Sequence, residues 1–166
     1  VTAPAATAEI YLHGAHITHF QPNGHRPVLM MSRMTAFQPD KPIRGGIPLC
    51  WPWFGPRADD PTAAIHGFAR LSQWTLDSIT PQDDAVALTF SLQDTPATQS
   101  IWPHPFHLRY TVTVGRSLSL ALETTNSGTQ PFTFTQALHP YFVISDIRQI
   151  SITGLENTQY SERLYH

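Results

Sequence analysis

The chain of 166 residues contains one cysteine, Cys50, and one lysine, Lys41. A lone thiol excludes an internal disulfide framework and a cysteine-rich zinc module, and it fits a reduced, cytoplasmic setting. Ten Lys+Arg against twelve Asp+Glu leave a formal charge of -2 with no basic run. A nucleic-acid partner would demand clustered cations, so none is expected. Charged residues make up only 13%, against about 25% in ordinary domains. Together with 41% hydrophobic residues, this excludes a disordered or charge-laced chain. No apolar run approaches the ~18 residues of a membrane span, and no basic-then-apolar leader opens the chain. Repeats and low-complexity stretches are missing too.

What is abundant is turn chemistry and aromatic surface: 15 prolines, 11% aromatics and nine histidines, nearly as many as the ten cations. The second half alternates with period two. Val86, Leu88, Phe90 and Leu92 share one face, as do Leu108, Tyr110, Val112 and Val114, and then Leu118, Leu120 and Leu122. Such alternation marks half-buried antiparallel strands. Gly115-Arg116 suits a hairpin, and Asn126-Ser127-Gly128-Thr129 supplies the next turn. Phe132–Thr135 and Ile150–Thr153 read as further strands. In the first half, Ile10–Leu12 and Ile17–Phe20 flank Gly14 as a strand pair or one bulged strand, and Val28–Met31 reads as a short buried strand. Only the segment from Thr95-Pro96 to Trp102 looks helical. Fold class follows: all-β, an antiparallel sandwich or barrel.

Residues 38–61 carry six prolines together with Ile43, Ile47, Trp51, Trp53 and Phe54. So punctuated a stretch cannot be a regular helix or central strand. So apolar a stretch is no solvated linker, and long loops of this kind are usually functional. Ile43-Arg44-Gly45-Gly46 sets a cation beside glycines that let backbone approach an anion, or simply an arginine solvating a turn. Trp51-Pro52-Trp53-Phe54 offers flat faces for a sugar, or core packing. His66 and Arg70 can both point into a cleft, or His66 can serve the backbone. His139, before Pro140, can titrate near neutrality at a sheet rim, or be a satisfied rim histidine. His13, His16, His19 and His25 lack a fitting carboxylate and a His-x-His arrangement, so no metal is expected and they read as structural or surface residues. Cys50 has no base beside it and sits in an apolar setting.

Four blocks taken together are more specific than each alone. Ile43 to Pro56, His66-Gly67-Phe68-Ala69-Arg70, Trp102-Pro103-His104 and Ala137-Leu138-His139-Pro140-Tyr141-Phe142 resemble the hexose-6-phosphate mutarotases. This is the glucose-6-phosphate 1-epimerase branch of the aldose 1-epimerase (galactose mutarotase-like) family. The resemblance runs from about Glu9 to the end of the chain. It implies a large antiparallel β-sandwich and a cofactor-independent isomerase that interconverts the α and β anomers of a hexose 6-phosphate. By motif it assigns His139 as the catalytic acid and Arg44, His66 and Arg70 to substrate, with a small sugar phosphate as the partner and no metal. Where some members place a substrate-contacting Gln, this chain has Ile65.

The family's general base is a glutamate well beyond the histidine block. The acidic residues after His139 here are Asp146, Glu156 and Glu162, none in that context. The expectation is one sandwich domain over 1–166, truncated at both ends, with its base outside the chain and little activity of its own. The alternative is a non-catalytic carbohydrate- or sugar-phosphate-binding sandwich. Oligomeric state is not legible.

Overall fold

A computed structural model describes residues 1–159. The chain is built from antiparallel strands β1 (Ala6–Tyr11), β2 (His16–Pro22), β3 (Leu49–Cys50), β4 (Thr75–Pro81) and β5 (Val86–Gln93), a short helix α1 (Pro96–Ile101), then β6 (Phe106–Val114), β7 (Leu118–Asn126) and β8 (Ala137–Leu138). Single 3-10 turns cover Ala69–Leu71 and Ile147–Gln149. Three antiparallel sheets result: β1 with β2, β3 with β8, and a four-stranded meander in the order β4-β5-β6-β7.

Period-two alternation becomes the inner face of the meander. Leu88, Phe90 and Leu92 on β5 and Leu108, Tyr110, Val112 and Val114 on β6 are buried, and Leu118, Leu120 and Leu122 on β7 are half-buried. Register is unbroken from Val86↔Val114 to Gln93↔His107, because a slip of one residue would turn this whole set outward. Against this face pack Ala6, Ala8, Ile17 and Phe20 of the β1–β2 pair and, from the proline-rich loop, Ile47, Leu49 and Trp51, all in one core cluster. Gly14 and Ala15 turn β1 into β2 with positive φ, so the two segments form a pair. Helix α1 is capped by Thr95, whose side chain accepts from Thr98 N–H while Thr98 Oγ1 accepts from Thr95 N–H.

Three expected strands do not form as such. Val28–Met31 makes only isolated bridges, Leu29 to Phe142 and Met31 to Gly45. Phe132–Thr135 joins no ladder among the described residues, although its Phe132 and Phe134 rings pack on the core. Ile150–Thr153 is irregular and exposed. A ladder needs a continuous partner strand: Val28–Met31 meets its neighbours only at single bridges, and the other two segments pair with no strand among the described residues. Conversely, β4 forms although it is exposed along its whole length and its sequence shows no buried face.

Candidate functional site

Arg44, Gly45 and Gly46 form a strip held from two sides. Ile47 N–H donates to the Ile17 carbonyl of β2, Gly46 N–H to the Met30 carbonyl, Ser32 N–H to the Arg44 carbonyl, and Tyr141 N–H to the Gly46 carbonyl. Gly46 must be glycine: φ is +61°, and a Cβ there would run into the Ile17 carbonyl and the His16 ring. This strip forms one wall of a cleft of about 480 Å³ into which Ser32, Arg44, His66, Arg70 and Tyr141 all project, with Ile65 on its rim.

The second wall comes from the turn after the aromatic loop. Gly67 has φ +72° and sits directly on the Trp51 carbonyl, where a side chain would not fit. The chain approaches there because Phe68 and Ala69 N–H groups both donate to that carbonyl. His66 is thereby held with φ +68°, and Gly55 N–H donates to its Nδ1 at 2.9 Å. An Nδ1 that accepts leaves the neutral-ring proton on Nε2. Arg70 donates through Nη2 to the Ile65 carbonyl at 2.6 Å, while its Nε is buried without a partner among the described residues. Burial, with Arg44 adding a like charge, pulls the Arg70 pKa down, and Cys50 and Tyr141 oppose this. Two arginines facing one cleft form an electrostatic seat for an anion.

His139 follows β8, whose two residues pair with Leu49 and Cys50 of β3. Its N–H donates to the Pro48 carbonyl, and its ring adjoins the cleft rather than lining it. Ring centroids lie 4.9 Å from Tyr141, 6.1 Å from Phe54 and 6.1 Å from His66. Nδ1 of His139 is buried with no partner among the described residues.

Arg44, His66 and Arg70, picked out in the sequence, thus meet in one cleft, and His139 stands beside it. The fold adds Tyr141, two residues after His139, and Ser32, for which no sequence motif speaks. Phe54 meets the two histidine rings, but Trp51 is wholly core, edge-on to Phe68 and Trp102. Trp53 turns its Nε1 to the Ala64 carbonyl, with Arg57 over its ring. His104 contacts Trp102 and Phe132, away from the cleft lining. Of the remaining histidines, His13 meets the Lys41 carbonyl and His16 the Gly45 carbonyl. Burial pushes the Cys50 thiol up, opposed by Arg70, which suits an inert thiol.

No carboxylate lines this cleft among the described residues. Asp146 is paired with Arg148 at 2.8 Å, and Glu156 accepts from Gly154 N–H. Glu162, the other acidic residue after His139, lies outside the described residues. No helix is long and apolar enough to cross a membrane among the described residues.

Comparison with known proteins agrees with this architecture. The chain is 43% identical over 155 residues to an Escherichia coli protein named "Putative glucose-6-phosphate 1-epimerase", covering 93% of this chain and 51% of the relative. A Haemophilus influenzae protein of the same name is 31% identical over 144 residues, covering 84% of this chain and 46% of that one. The chain therefore spans about half the length of the curated relatives it matches. Among solved structures, a Salmonella typhimurium protein described as a "putative mutarotase" superposes with a TM-score of 0.79 at 41% identity, over 86% of this chain and 46% of that one. A galactose mutarotase related enzyme from Lactobacillus acidophilus shares the fold at 18% identity, with a TM-score of 0.72 over 91% of this chain and 50% of that one. The family model described as aldose 1-epimerase matches residues 1–165. On a family match of that extent, and on a fold shared with the mutarotases, the chain belongs to the aldose 1-epimerase family.

Proposed function

We propose that this chain supplies the anion seat and the acid of a hexose-6-phosphate mutarotase, acting on glucose 6-phosphate. The observation that carries the reading is the convergence of Arg44 and Arg70 on the 480 Å³ cleft that His66 and Tyr141 border, with His139 alongside. A hexose 6-phosphate presents a dianion at one end and a hemiacetal at the other. The arginines hold the phosphate through charge-assisted hydrogen bonds, and His66 Nε2–H donates to a sugar hydroxyl.

Anomer exchange needs one proton removed from the C1 hydroxyl and one delivered to the ring oxygen. The C1–O5 bond opens, the C1–C2 bond rotates, and the ring closes on the other face. His139 is the acid, its ring standing beside the cleft between those of Tyr141 and Phe54. General acid catalysis of this kind contributes about 10²–10⁴-fold. The base is a carboxylate outside residues 1–166: no described residue brings one to the cleft, and the chain spans about half of its relatives. Residues 1–166 are then one portion of a single β-sandwich domain, in keeping with a chain that spans half of its relatives.

The test is exchange spectroscopy on the anomers of glucose 6-phosphate, with calorimetry for binding. The 166-residue chain should bind the sugar phosphate and leave anomer exchange at its spontaneous rate. The protein extended to the length of its relatives should accelerate exchange, and His139→Ala in that form should lower kcat by about 10²-fold or more with binding largely kept. Acceleration by the 166-residue chain alone refutes an outside base. Binding without acceleration by the extended form would leave only a sugar-phosphate-binding sandwich.

A further inference from the structure

Behind the cleft lies a buried histidine that no step above uses. His16 opens β2, is wholly inaccessible, and has Nε2 at 2.8 Å from the Gly45 carbonyl oxygen. A carbonyl oxygen only accepts, so the ring proton must sit on Nε2. Nδ1 then keeps a lone pair, enclosed with no partner among the described residues. Charging the ring would add an N–H with nothing to receive it. Burial therefore lowers the pKa to about 4, the Gly45 bond opposing and His13 and Arg70 adding to the effect. At neutral pH the side chain is an uncharged donor with a single use.

That use is specific to the strip that carries Arg44. The Gly45 N–H and carbonyl belong to a segment of high curvature, with φ +96° at Gly45 and +61° at Gly46. Backbone bonds to Ile17, Met30 and Tyr141 hold its neighbours, but the Gly45 carbonyl faces inward to the imidazole. Removing the donor would strand a buried carbonyl at the residue next to Arg44 and loosen the turn from which that side chain projects.

We propose that His16 is a positioning residue: its Nε2–H bond to the Gly45 carbonyl holds the Arg44–Gly46 turn in the shape that aims Arg44 at the phosphate of the bound sugar. The proposal rests on the sugar-phosphate reading of the cleft. Arg44 is exposed and long, so its reach depends on a rigid main chain beneath it.

The experiment compares the full chain with His16→Gln and His16→Leu by calorimetric titration of glucose 6-phosphate and by amide hydrogen exchange over residues 43–47. A Gln side chain can donate to the same carbonyl, whereas Leu cannot. His16→Leu should bind about 10-fold more weakly, in line with the loss of one buried hydrogen bond, and exchange faster at residues 44–46. His16→Gln should stay within about threefold of the parent on both readouts. Undiminished binding in His16→Leu, or an equal loss in both variants, overturns the proposal. Should His16→Leu fail to fold, nitrogen-15 spectra of the parent ring decide: the proton on Nε2 at pH 7 supports the proposal and a proton on Nδ1 refutes it. If the parent binds no glucose 6-phosphate, the sugar-phosphate reading alone has failed, and the exchange rates of 44–46 still decide whether His16 holds the turn.

Discussion

At the scale of single residues, the interior holds several polar atoms whose protonation or pairing is one-sided. His16 gives a pH effect of definite sign. Its folded pKa, about 4, lies below the value of 6.5 for an unconstrained histidine. The unfolded chain therefore binds more protons between those two values, and stability falls as pH drops from about 6.5 to 4, by about 3 kcal/mol in all. Urea midpoints measured across that range should decline in the parent and decline less in His16→Gln. Parallel slopes would show that His16 titrates alike in both states. Tyr110 is a second case. Its hydroxyl is buried without a partner among the described residues, and burial drives its pKa up. Tyr110→Phe should leave the melting temperature unchanged or raise it by the equivalent of up to about 1 kcal/mol, since an unpaired hydroxyl is desolvated for no return. A loss of several degrees would reveal a hydrogen bond on that hydroxyl. Arg70 belongs to the same scale. Arg70→Met keeps the stem that packs and removes the charge, so binding of glucose 6-phosphate should weaken about 10-fold or more while binding of free glucose changes little. Equal losses for both ligands would mean that Arg70 contacts the sugar and leaves the phosphate to other groups.

At the scale of elements, the site depends on places where two backbones touch. Gly67 lies against the Trp51 carbonyl, across the parallel bridge that joins the aromatic loop to the His66 turn. Any Cβ there forces those segments apart and also meets an unfavourable φ of +72°. Gly67→Ala should cost about 3 kcal/mol or more and should displace His66, so chemical denaturation and sugar-phosphate binding should fail together. A stable variant with intact binding would show that the two walls can separate independently. Alternation along β5, β6 and β7 was readable because each strand writes its own buried face into its own sequence. The exposed β4 wrote none, and Phe132–Thr135 wrote one without acquiring a ladder. Both failures have one origin: pairing is settled by which strand lies alongside, and local pattern carries no record of that.

At the scale of the whole molecule, the apolar surface is unevenly distributed. Phe142, Val143, Ile147, Ile152 and Leu155 are all more than half exposed, within one short stretch of chain. Large apolar side chains left exposed in such number normally meet something else. In a chain that spans half the length of its relatives, this surface should bind the dye anilinonaphthalene sulfonate, with several-fold fluorescence enhancement. The extended protein should show much less of it per molecule. No enhancement in the 166-residue chain would mean that the stretch is already covered.

What the sequence determined by itself is what proximity along the chain can encode. Period-two faces, the Thr95–Pro96 helix start, the Gly115 hairpin and the ordered blocks carrying Arg44, His66, Arg70 and His139 are all local signals. They sufficed for the all-β class, the family and the residues worth testing. Tertiary structure alone decided the rest. It joined Arg44 and Arg70 across one cleft, stacked Tyr141 on His139, sent Trp51 to the core, and set His16 under a carbonyl 29 residues further on. Those outcomes depend on burial and hydrogen-bond partners that come from distant parts of the chain, and a buried polar atom acquires its meaning only from the partner it finds.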